Sequence, residues 1–311
     1  MRDVSTEVYF LTAGSDHSDI ILSKNQNRGV NPVKEKLHVH PVASCWIIFL
    51  ILIVVHGFEA IFLRMDETLL GENFINKVFG IVVTFCVVKI LKWTLSDIGF
   101  KKSGVLKYAG LGSLLALASF VIAYSAEIII LKSQGNTIRF GFFTTGFSLT
   151  GDTAVHTGIG FILMCIFFNL INVVMEEGTF RGLFYSIARI KKPMKTALFF
   201  QALLFGIWHV VTPLHNLIDG DINVPSFIGL SISYVILAGL MGIKWGLLYK
   251  MTGSLYMGMA DHFFNNCIAT NLLHVVTEEG IDDMMIVRVL IAQLLSFGIV
   301  LAVWLKRKKK A

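Results

Sequence analysis

The sequence predicts an all-α polytopic membrane protein with about eight transmembrane helices. Of its 311 residues, 55% are hydrophobic and only 15% are charged, whereas soluble domains carry about 25% charged residues. Several apolar runs, including 44–62, 111–131, 158–175 and 284–305, approach the roughly 20 residues that a spanning helix needs. Together these two observations exclude an ordinary soluble domain.

Hydropathy and the polar connections between apolar runs place the eight predicted spans. Their transmembrane domain covers 43–305, between a polar tail at 1–42 and a short basic terminus at 306–311. The tail is too long for the first region of a signal peptide, and no small-residue cleavage site follows it. The predicted spans are 43–63, 75–93, 108–131, 158–188, 195–214, 225–247, 253–274 and 284–305.

The distribution of positive charge predicts the orientation of the chain. The net charge is +6, but the lysines and arginines alternate between rich and poor connections instead of forming a nucleic-acid patch. By the positive-inside rule, both termini are predicted to be cytoplasmic in a multi-pass protein of the cell membrane. Short loops and a Lys-rich composition indicate a bacterial protein. The basic residues before the first span are Arg2, Lys24, Arg28, Lys34 and Lys36.

The cysteines predict neither a disulfide framework nor a thiolate zinc site. Each of the four lies singly in an apolar stretch, and no C-x-x-C occurs. Buried cysteine acting as a small hydrophobic residue is a sufficient interpretation.

Predicted span four carries charged residues that are costly at bilayer depth. Glu177 and Arg181 are four residues apart, so they lie on one helix face in the order that favours an ion pair. Glu176 lies about 100° further round the helix and lacks a partner there. It must find a partner on another span, remain protonated, or bind an ion.

Predicted spans five and seven supply candidate partners for Glu176. Phe205 and His209 are one turn apart on span five, and His262 and Asn266 are one turn apart on span seven. Three other histidines lie near span ends and are assigned to the interface, and two polar neighbours of His262 are predicted to point elsewhere. These residues are His156, His215 and His274, and Asp261 and Asn265.

Two chemistries fit this set of side chains. In the first, Glu176 is the base that activates water, while His262 and Asn266 donate hydrogen bonds to the oxyanion of a cleaved peptide bond. In the second, Glu176, His209 and His262 hold a catalytic zinc ion with one position open for water. The residues leave both alternatives open.

Three motifs in this order resemble those of the CPBP family of intramembrane proteases, also called the CAAX protease and bacteriocin-processing or Abi family. They are E-E-x-x-x-R at Glu176–Arg181, F-x-x-x-H at Phe205–His209, and H-x-x-x-N at His262–Asn266. The resemblance covers roughly 75–303. Each motif is weak alone, but the three together on a chain with several predicted spans are specific.

The resemblance implies an intramembrane endopeptidase that acts on a membrane-associated peptide or a lipidated protein. It implies that Glu176 activates water with His209, that His262 and Asn266 stabilise the oxyanion, and that Glu177, Arg181 and Phe205 support the site. Both metalloprotease and metal-independent glutamate mechanisms are described for the family, so zinc stays open. CAAX-type, leader-peptide and bacteriocin-related processing are all implied, and a bacterial origin favours peptide processing or immunity.

Two alternatives to a protease fit the same polar residues. A proton-coupled transporter would use Glu176 and the histidines as a titrating relay, although the sequence shows no internal repeat. A non-proteolytic membrane partner, such as a bacteriocin self-immunity protein, would use them as architecture. The substrate, the role of 1–42 and the oligomeric state are not encoded in any pattern we recognise.

Overall fold

The computed structural model describes residues 32–68, 73–144 and 155–309, which are mainly helical. The described part of the predicted polar tail is helical too, while residues 1–31 lie outside the described residues. The α-helices are α1 (Pro32–Val39), α2 (Pro41–Phe58), α3 (Ile75–Ile90), α4 (Val105–Ser133), α5 (Ile159–Glu176), α6 (Tyr185–Arg189), α7 (Met194–Trp208), α8 (Val211–Ile218), α9 (Val224–Thr252), α10 (Tyr256–Phe263) and α11 (Met285–Lys308).

Short segments of other types interrupt these helices. The π-helical segments Glu59–Leu63, Glu177–Phe184 and Phe264–Thr270 continue α2, α5 and α10. Strands β1 (Arg139–Phe142) and β2 (Leu273–Val276) pair antiparallel. Turns of 3₁₀-helix cover Met65–Glu67 and Leu95–Ile98. π-Helical turns are rare and frequently occur at functional sites, and two of these begin within two residues of Glu176 or His262.

Six continuous helices among the described residues are long and apolar enough to cross a membrane. They correspond to predicted spans one, three, four, five, six and eight, so the chain is a polytopic helical membrane protein. The sequence predicts two spans more than these six. Predicted span two is a helix of only 16 residues, α3, and predicted span seven divides into α10, a π-helical segment and β2. The six are Pro41–Glu67, Val105–Ser133, Ile159–Arg189, Met194–Ile218, Val224–Thr252 and Met285–Lys308.

The outer surface of the helices is apolar, as contact with lipid requires. Phe62, Ile159 and Ile286 are each at least 70% exposed, and Leu106 is 89% exposed. Contiguous apolar surface of this kind is unusual on a soluble monomer. The helices therefore bury their polar side chains inward, where these must find partners in the protein.

Two local features bring the helices of the interior together. The carboxylate of Glu59 accepts hydrogen bonds from the backbone N–H groups of Ile75 and Asn76, at 2.7 and 2.5 Å. This holds the N-terminus of α3 by a negative charge, as the helix dipole favours, and it places Lys77 beside α5. Helices α7 and α9 approach closely because Gly206 and Gly242 present no side chain to the facing helix.

Candidate active site

Glu176 is the last residue of α5 and is buried, with 3% of its surface exposed. Its Oε1 lies 3.2 Å from Nζ of Lys77 on α3, and its Oε2 lies 3.5 Å from Nε2 of His262 on α10. The carboxylate thus has a cation on one side and an imidazole on the other. The partner that the sequence required for Glu176 comes from two different helices.

Glu177 is fully buried and joins two of the predicted site residues. Its Oε1 lies 3.0 Å from Nδ1 of His262, and its Oε2 lies 3.5 Å from Nε of Arg181. Since a carboxylate accepts hydrogen bonds, Nδ1 of His262 carries the proton. Glu177 therefore fixes the tautomer and ring orientation of His262, besides pairing with Arg181.

Aromatic rings hold Arg181 and His262 in place. The guanidinium carbon of Arg181 lies 3.7 Å from the ring centroid of Phe205 and 4.8 Å from that of Trp245, which stabilises a buried cation. Trp245 also stacks on His262, with the ring centroids 3.9 Å apart. The predicted supporting role of Phe205 and Arg181 agrees with this packing but is not tested by it.

Asn266 and His209 complete the set. The side-chain nitrogen of Asn266 lies 3.2 Å from Nε2 of His262, as the spacing of four residues predicted. His209 follows α7, and its Nδ1 lies 2.8 Å from the backbone oxygen of Phe205. Because that oxygen can only accept, Nδ1 of His209 donates and its Nε2 keeps the lone pair. His209 can therefore accept a proton or a hydrogen bond at Nε2.

A polar cavity of about 260 Å³ connects these side chains. Its volume is enough for several water molecules, since one takes about 30 Å³ in the liquid. Glu176, His209 and Asn266 share its wall with Lys77 and Trp208. The structure thus places three of the four predicted catalytic residues on one cavity, and it places the fourth, His262, in contact with two of them.

The three predicted zinc ligands do not converge in this arrangement. Within the described part of the chain, Glu176, His209 and His262 do not form a group whose ligand atoms all lie within 4.8 Å of one another. In addition, the ammonium of Lys77 occupies one side of Glu176, where it would oppose a second cation. The zinc alternative remains a prediction.

A tighter group of potential metal ligands lies elsewhere among the described residues. Glu67, His215 and Asp219 have ligand atoms within 4.8 Å of one another. The guanidinium of Arg64 is already bound there, 2.6 Å from Glu67 and 2.5 Å from Asp219. We interpret the group as an ion-pair cluster. His215 and His274, which were predicted to lie at the membrane interface, are both buried inside the protein, and their depth in the membrane stays a prediction.

Sequence reasoning missed Lys77 and the residues behind Asn266. A lysine in an apolar segment was a usable signal, since such charges are costly without a partner. Asp261 and Asn265 were set aside because an α-helical wheel points them away from His262. Asn265 lies in the π-helical segment that follows α10, where the wheel no longer applies, and its side chain contacts Asn266 directly.

The fold and this site define a class: polytopic helical membrane proteins with a buried centre of glutamate, histidine and asparagine. Residues 158–268 match a family model described as Type II CAAX prenyl endopeptidase Rce1-like. The matched segment contains all three motifs, which confirms the resemblance to CPBP intramembrane proteases. Neither the curated proteins nor the solved structures gave a match to the chain.

Proposed function

We propose that the chain is an intramembrane endopeptidase that hydrolyses a peptide bond in a membrane-associated peptide or lipidated protein. The observation that carries the proposal is the shared cavity of Glu176, His209 and Asn266. Peptide hydrolysis inside a membrane needs a water site, a base and donors for the oxyanion, all within reach of one carbonyl. In the proposal the cavity holds the water, Glu176 is the base and Asn266 is a donor, and the family match favours this class of reaction.

In the proposed reaction, Glu176 removes a proton from a water molecule in the cavity. The resulting hydroxide attacks the scissile carbonyl carbon and forms a tetrahedral intermediate. Lys77, 3.2 Å from Oε1, balances the negative charge of the carboxylate before the attack, and His209 orients the water through its Nε2 lone pair. Collapse of the intermediate breaks the C–N bond, and the leaving amine takes the proton that Glu176 removed.

The oxyanion of the intermediate is stabilised from α10 and the segment after it. Asn266 donates from its side-chain nitrogen, which His262 holds close to the site through its Nε2, 3.2 Å away. Glu177, at 3.0 Å from Nδ1, fixes the orientation of the His262 ring. Donors held in place before the reaction are worth roughly 3–4 kcal/mol each at such sites.

A second, larger cleft supports the proposal that the substrate is apolar or lipidated. Its volume is about 990 Å³, and its wall includes Met175 and Gly178, which flank the two glutamates in sequence. Most of the lining is apolar, while Lys89, Lys101 and Lys102 also belong to it. We propose that it receives the hydrophobic part of the substrate. CAAX-type cleavage is the branch that the family match favours over leader-peptide or bacteriocin processing.

The proposed location is the cell membrane of a bacterium, with both termini in the cytoplasm. The alternation of basic connections supports this orientation. The basic lining residues of the large cleft then lie at the cytoplasmic side. A protein anchored to the inner leaflet by a lipid would reach the cleft from that side.

The test compares peptide termini in membrane and secreted fractions by mass spectrometry. Cells expressing the wild type are compared with cells expressing Glu176→Gln at equal protein levels, with Glu279→Gln at an exposed carboxylate as the matched control. New termini present with the wild type and the control, but absent with Glu176→Gln, would establish proteolysis. Identical profiles in all three would contradict it and favour a scaffold or immunity role.

A second measurement separates hydrolysis from transport. Purified protein in detergent should cleave a synthetic peptide that carries a lipid on a C-terminal cysteine. The same peptide without the lipid should be cleaved less efficiently. pH-gradient-dependent uptake into proteoliposomes, without any cleavage in detergent, would instead identify a transporter.

A further inference from the structure

A line of polar side chains leads from the protein interior to Asn266. It begins at Lys244 on α9, which is fully buried. The ammonium donates to Asp261, to Oε1 of Gln293 at 2.6 Å, and to Oγ of Ser296 at 3.0 Å. These three bonds use all three N–H groups of the lysine. Asp261 balances its charge and also accepts from Nε1 of Trp245.

The chemistry of Lys244 gives this line a direction. An ammonium has no lone pair, so Gln293 must present its carbonyl oxygen and turn its NH₂ group away. That nitrogen donates to Oδ1 of Asn265 at 2.8 Å. Asn265 in turn donates from Nδ2 to Oδ1 of Asn266 at 2.7 Å. Lys244 therefore fixes the orientation of the Gln293 amide. The Gln293 amide fixes that of Asn265, which in turn fixes that of Asn266.

The last step of the line reaches the site. With its oxygen held by Asn265, Asn266 presents its NH₂ group to Nε2 of His262 at 3.2 Å. A flipped Asn266 amide would present an oxygen next to Glu176 and His262 instead. An oxygen there would repel the oxyanion and remove the donor that the reaction needs.

We propose that Lys244, Gln293 and Asn265 are positioning residues that hold the Asn266 amide with its nitrogen toward the active site. They act through Asn266 and do not touch the substrate. The inference rests on the proposed proteolytic function, in which Asn266 is an oxyanion donor. Lys244 lies on α9 and Gln293 lies on α11, so in this proposal these two helices also contribute to catalysis.

Asn265→Asp tests the direction of the line within one protein. A protonated carboxyl group can still accept from Gln293 and donate its O–H to Asn266. An ionised carboxylate can only accept, so Asn266 would turn its nitrogen toward it and away from the site. The variant should therefore approach wild-type kcat at the acid end of the activity range. As pH rises, its kcat should fall about tenfold or more below wild type, with KM little changed.

The other titratable groups near this position are the same in both proteins. They include Lys244 on α9, Asp261 and His262 on α10, Glu176 at the end of α5, Glu177 and Arg181 in the π-helical segment after it, and Arg288 on α11. The ratio of variant to wild-type kcat therefore isolates the new carboxyl group. Return of the high-pH sample to low pH should restore the activity, which separates the effect from unfolding.

Gln293→Leu is a second variant that breaks the line without a new charge. It should lower kcat about tenfold or more at every pH, while Ser296→Ala, which removes a Lys244 partner outside the line, should stay within about twofold of wild type. A pH-independent ratio for Asn265→Asp together with wild-type kcat for Gln293→Leu would overturn the inference while leaving the proposed function intact. Absence of Glu176-dependent cleavage by the wild type would overturn the proposed function and the inference with it.

Discussion

Two regions of the molecule bury acidic and basic side chains together, but only one has the features of a reaction site. Around Glu176 the charged groups surround a cavity. Around Arg288 they bond to one another: the guanidinium donates to Glu127 at 2.9 Å, to Asp282 at 3.0 Å and to the backbone oxygen of Ala269 at 3.1 Å. None of these residues lines either of the two cavities described above.

The Arg288 cluster joins the strand pair to the helices. His274 on β2 lies 2.6 Å from Asp282 through Nδ1 and 3.0 Å from the backbone oxygen of Phe143 through Nε2. Arg288 also stacks over Tyr124 of α4, at 4.4 Å from the ring centroid. Buried charge therefore does not by itself indicate catalysis. Glu176 is also ion-paired, with Lys77, but unlike Glu127 and Asp282 it lines a polar cavity together with His209 and Asn266.

The largest expected effect is on activity at Glu176. Glu176→Gln keeps the shape of the side chain but removes the base, so kcat should fall about 10²–10⁴-fold. The melting midpoint in detergent should stay within a few degrees of wild type. Peptide cleavage and thermal unfolding of the same preparation measure both. A large loss of stability together with the lost activity would make Glu176 an architectural residue and remove the contrast between the two regions.

The matching effect in the other region is on stability. Arg288→Met leaves Glu127 and Asp282 buried without their cation, which costs about 3–5 kcal/mol. Activity per folded molecule should be retained. Arg64→Met is the control, because that arginine is 37% exposed in its ion pairs, and its loss should lower the melting midpoint much less. Equal melting midpoints for the two variants would contradict the structural role of Arg288.

The sequence predicted the active region better than the structural cluster, for a physical reason. Its motifs place Glu177 and Arg181, Phe205 and His209, and His262 and Asn266 one helical turn apart, so each pair is encoded locally. These pairs do meet in the structure.

Long-range partners are not encoded in this way. Glu127 and Arg288 are 161 residues apart, and Lys77 and Glu176 are 99 apart. No local pattern links them, and only the packing of helices against each other brings them into contact. The number of spans is likewise confirmed only in part, because predicted span two is a 16-residue helix and predicted span seven is interrupted by a π-helical segment.

A smaller effect is expected at Lys77, the residue that the sequence did not identify. Lys77→Met removes the cation 3.2 Å from Glu176, so the base loses its stabilising partner and kcat should fall about tenfold. Lys77→Arg should recover part of the loss because it restores the positive charge. Lys195→Met, at an exposed lysine, is the control. Wild-type activity in Lys77→Met would show that Glu176 does not depend on this ion pair.

The smallest expected effect is the pH dependence of the Arg288 region. Burial alone would raise the pKa of Asp282, but the hydrogen bond from His274, the charge of Arg288 and the backbone N–H of Val275 together lower it below the usual value. A carboxyl group whose pKa is lower in the folded state stabilises the fold above its unfolded pKa, about 3.9. That stabilisation is lost as pH falls through the folded pKa.

Asp282→Asn isolates this contribution, since asparagine tolerates the left-handed backbone at this position, where φ is 60°. The variant should be less stable than wild type by roughly 1–3 kcal/mol at neutral pH. The difference between their melting midpoints should shrink as the pH falls below about 4. A difference that instead grew on acidification would mean that Asp282 is protonated in the folded state. The carboxylate would then not be the acceptor that holds His274 and Arg288 together.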